Sequence, residues 1–134
     1  MVALAVEDVS PGSLPFAVDY LKQAYDVESV ALVGASAGTG PGLQVAEEDP
    51  EEISQIIVLS GIGDVYELGE YPKLFVASEE EEVSERARQR AEEAPRDRNE
   101  ALILPGSAHA QASFRTEEGD RLTQSVLERI EEYG

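Results

Sequence analysis

The stretch SVALVGASAG, residues 29–38, passes from an apolar run into a turn of small residues. Its first half is rich in Val, Leu and Ala, which is typical of a strand that is covered on both faces. Its second half, GASAG, is a G-x-S-x-G pattern in which the serine occupies a strained strand-to-helix turn and glycines let neighbouring backbone approach. We expect the Ser36 hydroxyl to project from the carboxyl edge of a sheet, with the Ala37 N–H beside it as an anion donor.

Similar apolar runs recur along the chain and alternate with helical patterns. Most of them are nearly continuous in Val, Ile, Leu and Ala, which is expected when helices cover both faces of a parallel sheet. The alternation predicts an α/β protein of three layers, α/β/α, around a mainly parallel sheet of about five strands. The predicted strands are Val2–Val6, Ser29–Gly34, Gln55–Ser60, Lys73–Ser78 and Glu100–Leu104.

Amphipathic patterns fill the segments between these strands. Apolar residues recur at helical spacing over 14–25, 83–94 and 122–133, which predicts three helices. We expect Ser13 and Thr116 to start the first and the third of them, and a fourth helix to start near Ser36. The length predicts a single domain, residues 1–134. A chain of this length should bury roughly two-thirds of the surface that it exposes when unfolded, which is enough for a core.

The composition excludes several classes of function. Asp and Glu number 28 against 10 Lys and Arg, so the formal net charge is −18, and this field repels nucleic acid and anionic membrane surfaces. There is no cysteine and a single histidine, His109, which excludes disulfides, thiolate catalysis and multi-histidine metal sites. We therefore expect no metal and no cofactor.

The same composition bears on where the protein works. No apolar run approaches the ~20 residues of a membrane span, and the N-terminus lacks the basic and apolar regions of a secretory signal. We therefore expect a cytoplasmic protein with no membrane partner. An acidic, lysine-poor chain suits a high-salt cytoplasm, where repulsion is screened, although a mesophile with a GC-rich genome can look similar.

The serine motif by itself has other interpretations. It could be a plain strand–helix turn or a loop that cradles a phosphate. A dinucleotide loop needs G-x-G-x-x-G, but Gly38 and Gly40 are followed by Leu43 where the third glycine belongs. A Walker loop needs Gly-Lys-Ser/Thr, which does not occur in the sequence.

Two further positions can complete a nucleophilic site with Ser36. His109 lies in ALILPGSAHAQASF, just after the last predicted strand, and the carboxyl ends of parallel strands meet at one edge of a sheet. A neutral imidazole there could take the proton of the Ser36 hydroxyl. The acidic run Glu79–Glu82 follows the LFVAS strand and could orient that imidazole, although such a run also suits a solvated loop.

The order of these blocks resembles the C-terminal part of the α/β-hydrolase fold, and the dienelactone-hydrolase and small-esterase branch is the most similar. The resemblance covers roughly residues 14–133, through VALVGASAG, IIVLSG, PKLFVAS with an acid, and LPGSAHA before a terminal helix. It implies a truncated α/β-hydrolase-like fold with Ser36 as nucleophile and His109 as general base and acid. It also implies the Ala37 N–H as one oxyanion donor.

The acid position and the N-terminal part depart from the family pattern. The family usually has Gly-x-x-Asp after the third of these blocks; counting from Ser78 puts Glu81 at the acid position, with Glu80 as the alternative. Several strands normally precede the nucleophile strand, and a loop among them donates the second oxyanion N–H. Here MVALAVED is the one predicted strand that precedes the nucleophile strand. The turn Val9–Ser13 is the available substitute for the loop that donates the second oxyanion N–H.

We therefore expect a serine hydrolase that cleaves a small carboxylic ester or thioester through Ser36, His109 and Glu81. The alternative is a catalytically weak or inactive α/β-hydrolase-like module that acts by binding or assembly. A third hypothesis is an anion-binding domain that uses the helix start after Gly34. The shortened sheet also predicts an exposed edge through which the chain could self-associate or accept strands from a partner.

The segment Gly61–Pro72 leaves two interpretations open. It is too short to build the lid of a lipase. Its apolar residues could line a small open pocket, or the segment could be a plain surface loop. These residues are Ile62, Val65, Tyr66 and Leu68.

Overall fold

The computed structural model describes residues 4, 6, 12–61, 63, 65, 67–94 and 98–134. Its helices are α1 (Ser13–Tyr25), α2 (Thr39–Glu48), α3 (Ser84–Glu93) and α4 (Gly119–Tyr133). Its strands are β1 (Val30–Ala35), β2 (Ile53–Leu59), β3 (Lys73–Ser78) and β4 (Glu100–Leu104). Three short 3₁₀ segments join them, at Ser36–Gly38, Pro50–Glu52 and Ala110–Arg115.

The four strands form one parallel sheet in the order β1-β2-β3-β4. The register runs straight across it, since Gly34 lies opposite Val58, Val58 opposite Phe75 and Phe75 opposite Ala101. Each crossover returns the chain to the same end, so all carboxyl ends share one edge. The predicted α/β class and parallel sheet are confirmed. The fifth predicted strand, Val2–Val6, lies mostly outside the described residues.

Helices cover both faces of this sheet because successive strand residues point to opposite sides. Ile56 of β2 belongs to a core that also contains Val18 of α1, Leu43 of α2 and Ala87 of α3. The next residue, Ile57, belongs to a second core. Leu122 of α4 lies in that second core, together with Leu59, Leu74, Val76 and Leu104. The molecule therefore has the expected three layers, with α4 on one face and the other helices opposite.

Strand β1 forms one edge of the described sheet. A groove of about 1170 Å³ runs along this edge and is lined mainly by apolar side chains of β1, α1 and α4. It reaches Ala37 and Gly38, which follow the carboxyl end of β1. Val33 of β1 is 51% exposed, although most residues of β2 and β3 are buried. Self-association through this edge stays a prediction, because it would require contacts with a second copy of the chain.

Some local expectations need correction. Ser13 is the first residue of α1 rather than its cap, which is Gly12. Helix α4 begins at Gly119 and not at Thr116, because Thr116 ends the preceding 3₁₀ segment and its hydroxyl accepts the Glu118 N–H. In the segment after β2, Val65 and Leu68 are buried in the core formed by α1, α2 and α3, so they neither line an open pocket nor lie on the surface. Ile62 and Tyr66 lie outside the described residues.

Glycine at 119 is required by a close approach of two backbone segments. A Cβ at Gly119 would lie 2.1 Å from the carbonyl oxygen of Phe114, which belongs to the segment that follows His109. We expect Gly119→Ala to lower the free energy of unfolding by about 2–3 kcal/mol, as overpacking of a tight contact does. Urea unfolding in molar salt measures this. Gly40→Ala in α2, where no heavy atom lies within 4 Å of the added Cβ, is the matched control; an equal loss in both variants would contradict the prediction.

Candidate functional site

Three side chains from separate parts of the sequence meet at the carboxyl edge of the sheet. Ser36 follows β1 directly, Glu81 follows β3 by three residues, and His109 lies five residues after β4. Parallel strands bring these loops to the same edge, although Ser36 and His109 are 73 positions apart. The structure therefore brings together the serine, the acid and the histidine singled out in the sequence.

The three side chains form one hydrogen-bonded chain. His109 Nε2 lies 2.8 Å from Ser36 Oγ, and His109 Nδ1 lies 2.6 Å from Glu81 Oε1. An ionised carboxylate has no proton to donate, so the proton between the second pair is on Nδ1. In the neutral ring Nε2 is then the acceptor that faces the serine hydroxyl. The imidazole is thus held in the form that can receive the Ser36 proton.

The other oxygen of the Glu81 carboxylate is held by hydrogen bonds. Oε2 accepts hydrogen bonds from the Ser60 hydroxyl and from the Ser78 N–H, each at 2.8 Å. The side chain of Glu81 is 9% exposed, whereas that of His109 is 57% exposed. Glu80, the alternative acid, is exposed, and its N–H donates to the carbonyl of Gly106. The acid that reaches the imidazole is therefore Glu81.

Hydrogen bonds on both sides of His109 hold its backbone. The carbonyl of Ala108 accepts from the Ser78 hydroxyl at 2.5 Å, and the N–H of Ala110 donates to the Ser60 hydroxyl at 2.8 Å. The loop after β3 is joined to the loop after β4 in the same way, because the Glu79 N–H donates to the Leu104 carbonyl at 2.7 Å. The exposed imidazole is thus supported by a fixed backbone.

Left-handed backbone conformations concentrate at this edge. Within the described part of the chain, five residues other than glycine have positive φ, and three of them are Ser36 (49°), Ser60 (51°) and Ala110 (50°). Such conformations cost on the order of 1–3 kcal/mol and are retained where surrounding contacts impose them, most often at functional sites. At Ser36 the strain matches the sharp strand-to-helix turn expected from the motif.

Only one glycine of the G-x-S-x-G motif is needed for a close approach. A Cβ at Gly34 would lie 3.0 Å from Thr39 Cα and 3.4 Å from the Gly38 carbonyl oxygen, so the first turn of α2 lies directly against β1. A Cβ at Gly38 would meet no heavy atom within 4 Å. The expectation that both flanking glycines permit a close approach is therefore wrong for Gly38, because the space beside its Cα is open.

The residue that was expected to donate to an oxyanion is also at this edge. Ala37 is exposed and lies in the 3₁₀ turn Ser36–Gly38. The first N–H groups of a helical turn have no carbonyl partner within that turn, so the Ala37 N–H can face an anion beside Ser36. The substitute for the second donor, Val9–Ser13, falls largely outside the described residues.

Ser60 also contributes to this site, and no motif in the sequence indicated it. Its signal was a hydroxyl at the end of a buried strand, in IIVLSG, where Val or Ile would otherwise be expected. Among the described residues, no group of three or more His, Asp or Glu side chains is arranged to hold a metal ion. In the same ranges, no helix is both long and apolar enough to cross a bilayer.

Solved structures resemble this chain over nearly its whole length. A predicted CIB-like hydrolase from Thermoplasma acidophilum has a TM-score of 0.63 at 20% identity, and the match covers 92% of this chain and 64% of that one. An N-acyl homoserine lactone degrading enzyme has a TM-score of 0.57 at 11% identity, covering 94% of this chain and 78% of that one. No family model and no curated protein matches. The chain therefore has an α/β-hydrolase-like fold and spans about 64% of the length of the Thermoplasma hydrolase.

Proposed function

We propose that this protein is a serine hydrolase that cleaves carboxylic esters or thioesters. The observation that carries the proposal is the unbroken hydrogen-bonded chain from Glu81 through His109 to Ser36, at 2.6 Å and 2.8 Å. A nucleophile beside a base, with the base oriented by a third group, is the arrangement that activates a hydroxyl for attack. The α/β-hydrolase-like fold supports the same conclusion.

In the proposed reaction Ser36 Oγ attacks the acyl carbon while its proton passes to His109 Nε2. Glu81 stabilises the imidazolium, and the Ala37 N–H faces the oxygen of the tetrahedral intermediate. The intermediate collapses to an acyl-serine when the C–O or C–S bond breaks and His109 returns the proton to the leaving group. Water, deprotonated by the same imidazole, then releases the carboxylic acid and restores Ser36.

The substrate class follows from the exposure of the site. The side chain of His109 is more than half exposed, and Val65 and Leu68 of the segment after β2 are packed in the core. The exposed imidazole favours a small ester that approaches Ser36 from solvent. One similar protein is named for degrading N-acyl homoserine lactones. A lactone is a cyclic ester, and the same acyl transfer would open it.

A non-catalytic assembly module is the second candidate. It is favoured by the position of β1 at one edge of the sheet in the described part of the chain and by the apolar groove along it, which would suit an added strand or a second chain. In that case the Ser36 hydroxyl would show no enhanced reactivity. The two candidates therefore differ in a property that can be measured without knowing the substrate.

A fluorophosphonate probe tests the proposal. Attack by Ser36 Oγ on phosphorus expels fluoride and leaves a stable phosphonyl-serine, with the hydroxyl proton taken by His109. We expect the wild-type chain to be labelled and Ser36→Ala to remain unlabelled, with mass spectrometry locating the adduct on Ser36. The measurement is made in molar salt, where the repulsion from a net charge of −18 is screened. A folded wild type that is not labelled would contradict the hydrolase and favour the assembly module.

A further inference from the structure

We propose that Ser60 is a positioning residue that aligns Glu81 and His109 with each other, an inference that rests on the proposed hydrolase function. Ser60 is buried directly after β2, and its side chain contacts both the loop that carries Glu81 and the loop that carries His109. Its hydroxyl donates to Glu81 Oε2 and accepts from the Ala110 N–H, both at 2.8 Å. One hydroxyl group therefore joins the acid to the backbone of the residue after the histidine.

The hydrogen-bond capacity of the acid explains why this contact matters. Glu81 Oε1 faces the imidazole, so the orientation of the carboxylate depends on what holds Oε2. Two donors hold it, the Ser60 hydroxyl and the Ser78 N–H. Glutamate has one more rotatable bond than the aspartate usual at this position, and that extra freedom must be removed before the carboxylate can stay aligned. Ser60 provides one of the two constraints.

The hydroxyl also acts on the histidine from the other side. Ala110 has a left-handed backbone, with φ of 50°, and its N–H is held by Ser60. Without this acceptor, a buried N–H would lose its partner and the backbone beside His109 would relax. The imidazole and the carboxylate would then shift relative to each other. The contact is therefore expected to influence proton transfer while making no contact with the substrate.

Glycine is the substitution that isolates the hydroxyl. Ser60 has φ of 51°, which glycine adopts without strain, so Ser60→Gly removes the side chain and preserves the fold. Ser60→Ala serves as a second variant with the Cβ retained. Ser54→Ala on the same strand is the matched control, because its buried hydroxyl has no hydrogen-bond partner within the described residues.

Nuclear magnetic resonance of the imidazole gives a readout that needs no substrate. His109 is the only histidine, so its ring nitrogens are assigned without ambiguity in a ¹⁵N spectrum. In the neutral wild-type ring we expect the proton on Nδ1, and in Ser60→Gly we expect the population to move towards the Nε2-protonated form by about tenfold. Ser54→Ala should leave it unchanged. An unchanged tautomer ratio in both Ser60 variants would overturn the inference.

Kinetics of a chromogenic ester provide the second arm. Loss of a hydrogen bond to a charged group corresponds to about tenfold to a hundredfold in rate, so kcat should fall by that factor in Ser60→Gly with KM within about twofold. In a Glu81→Gln background the same change should cost less than about threefold, because the effects of coupled residues do not add. Equal losses in both backgrounds would overturn the inference. If the wild type is not labelled by the fluorophosphonate but the tautomer shift occurs, the hydrolase fails and the positioning role of Ser60 stands.

Discussion

Replacement of His109 by alanine is expected to reduce ester hydrolysis by about 10⁴-fold or more. His109 is the only histidine of the chain, and its Nε2 is 2.8 Å from Ser36 Oγ. A serine hydroxyl is a poor nucleophile without a base to remove its proton. The same ring would also deprotonate the water that releases the acyl group, so its loss impairs both halves of the reaction.

The measurement is hydrolysis of p-nitrophenyl acetate, together with the rate of fluorophosphonate labelling, in molar salt. The control is Ser107→Ala, an exposed serine of the same loop, which should keep wild-type rates. Because the side chain of His109 is 57% exposed, free imidazole should enter the vacated position and restore part of the activity. Retention of more than a tenth of the wild-type rate by His109→Ala would contradict the proposed role.

The second large effect is expected at the acid. Glu81→Gln should lower kcat by about 10³–10⁴-fold, whereas Glu80→Gln should change it by less than about threefold. Both oxygens of Glu81 accept hydrogen bonds, one from His109 Nδ1–H and the other from the Ser60 hydroxyl and the Ser78 N–H. An amide has one oxygen only, so its NH₂ group must face a donor in either orientation. The glutamine can neither hold the reactive tautomer nor stabilise the imidazolium.

The pair of variants is a sharp test because the two changes are chemically identical and lie side by side. Both remove one negative charge from the same acidic run, so general electrostatic effects cancel between them. Thermal unfolding of both variants shows whether either change affects folding. A larger loss in Glu80→Gln than in Glu81→Gln would show that the acid is assigned one position too far along the chain.

Part of this arrangement follows from local sequence patterns. Buried strands are recognisable because both of their faces need apolar side chains, and the parallel order brings all carboxyl ends to one edge. These patterns predict that Ser36, His109 and the acidic run Glu79–Glu82 lie at the same edge of the sheet. Counting from Ser78 with the family pattern then selected Glu81, the residue that the structure places against the imidazole.

Other features could not be recognised because they depend on residues distant in sequence. Ser60 gains its contacts from loops that follow other strands, and no local pattern records them. Val65 and Leu68 resemble pocket or surface residues in the sequence, but the core that α1, α2 and α3 form with the sheet buries them. Lys73 begins β3 and is fully buried, with its ammonium donating to the Gly69 and Tyr71 carbonyls at 2.7 Å each. A lysine in a strand does not by itself indicate that environment.

Local sequence patterns were enough to predict the α/β class, the parallel sheet and the residue types that gather at one edge. These properties depend on apolar periodicity and small-residue turns, which act over a few neighbouring positions. The three-dimensional packing was needed to show that Glu81 Oε1 reaches His109 Nδ1 at 2.6 Å, that Ser60 joins the two loops, and that a groove borders the edge of β1. Such contacts depend on differences of a few tenths of an ångström in the distances between residues that are many positions apart in sequence. Packing of the whole chain sets those distances.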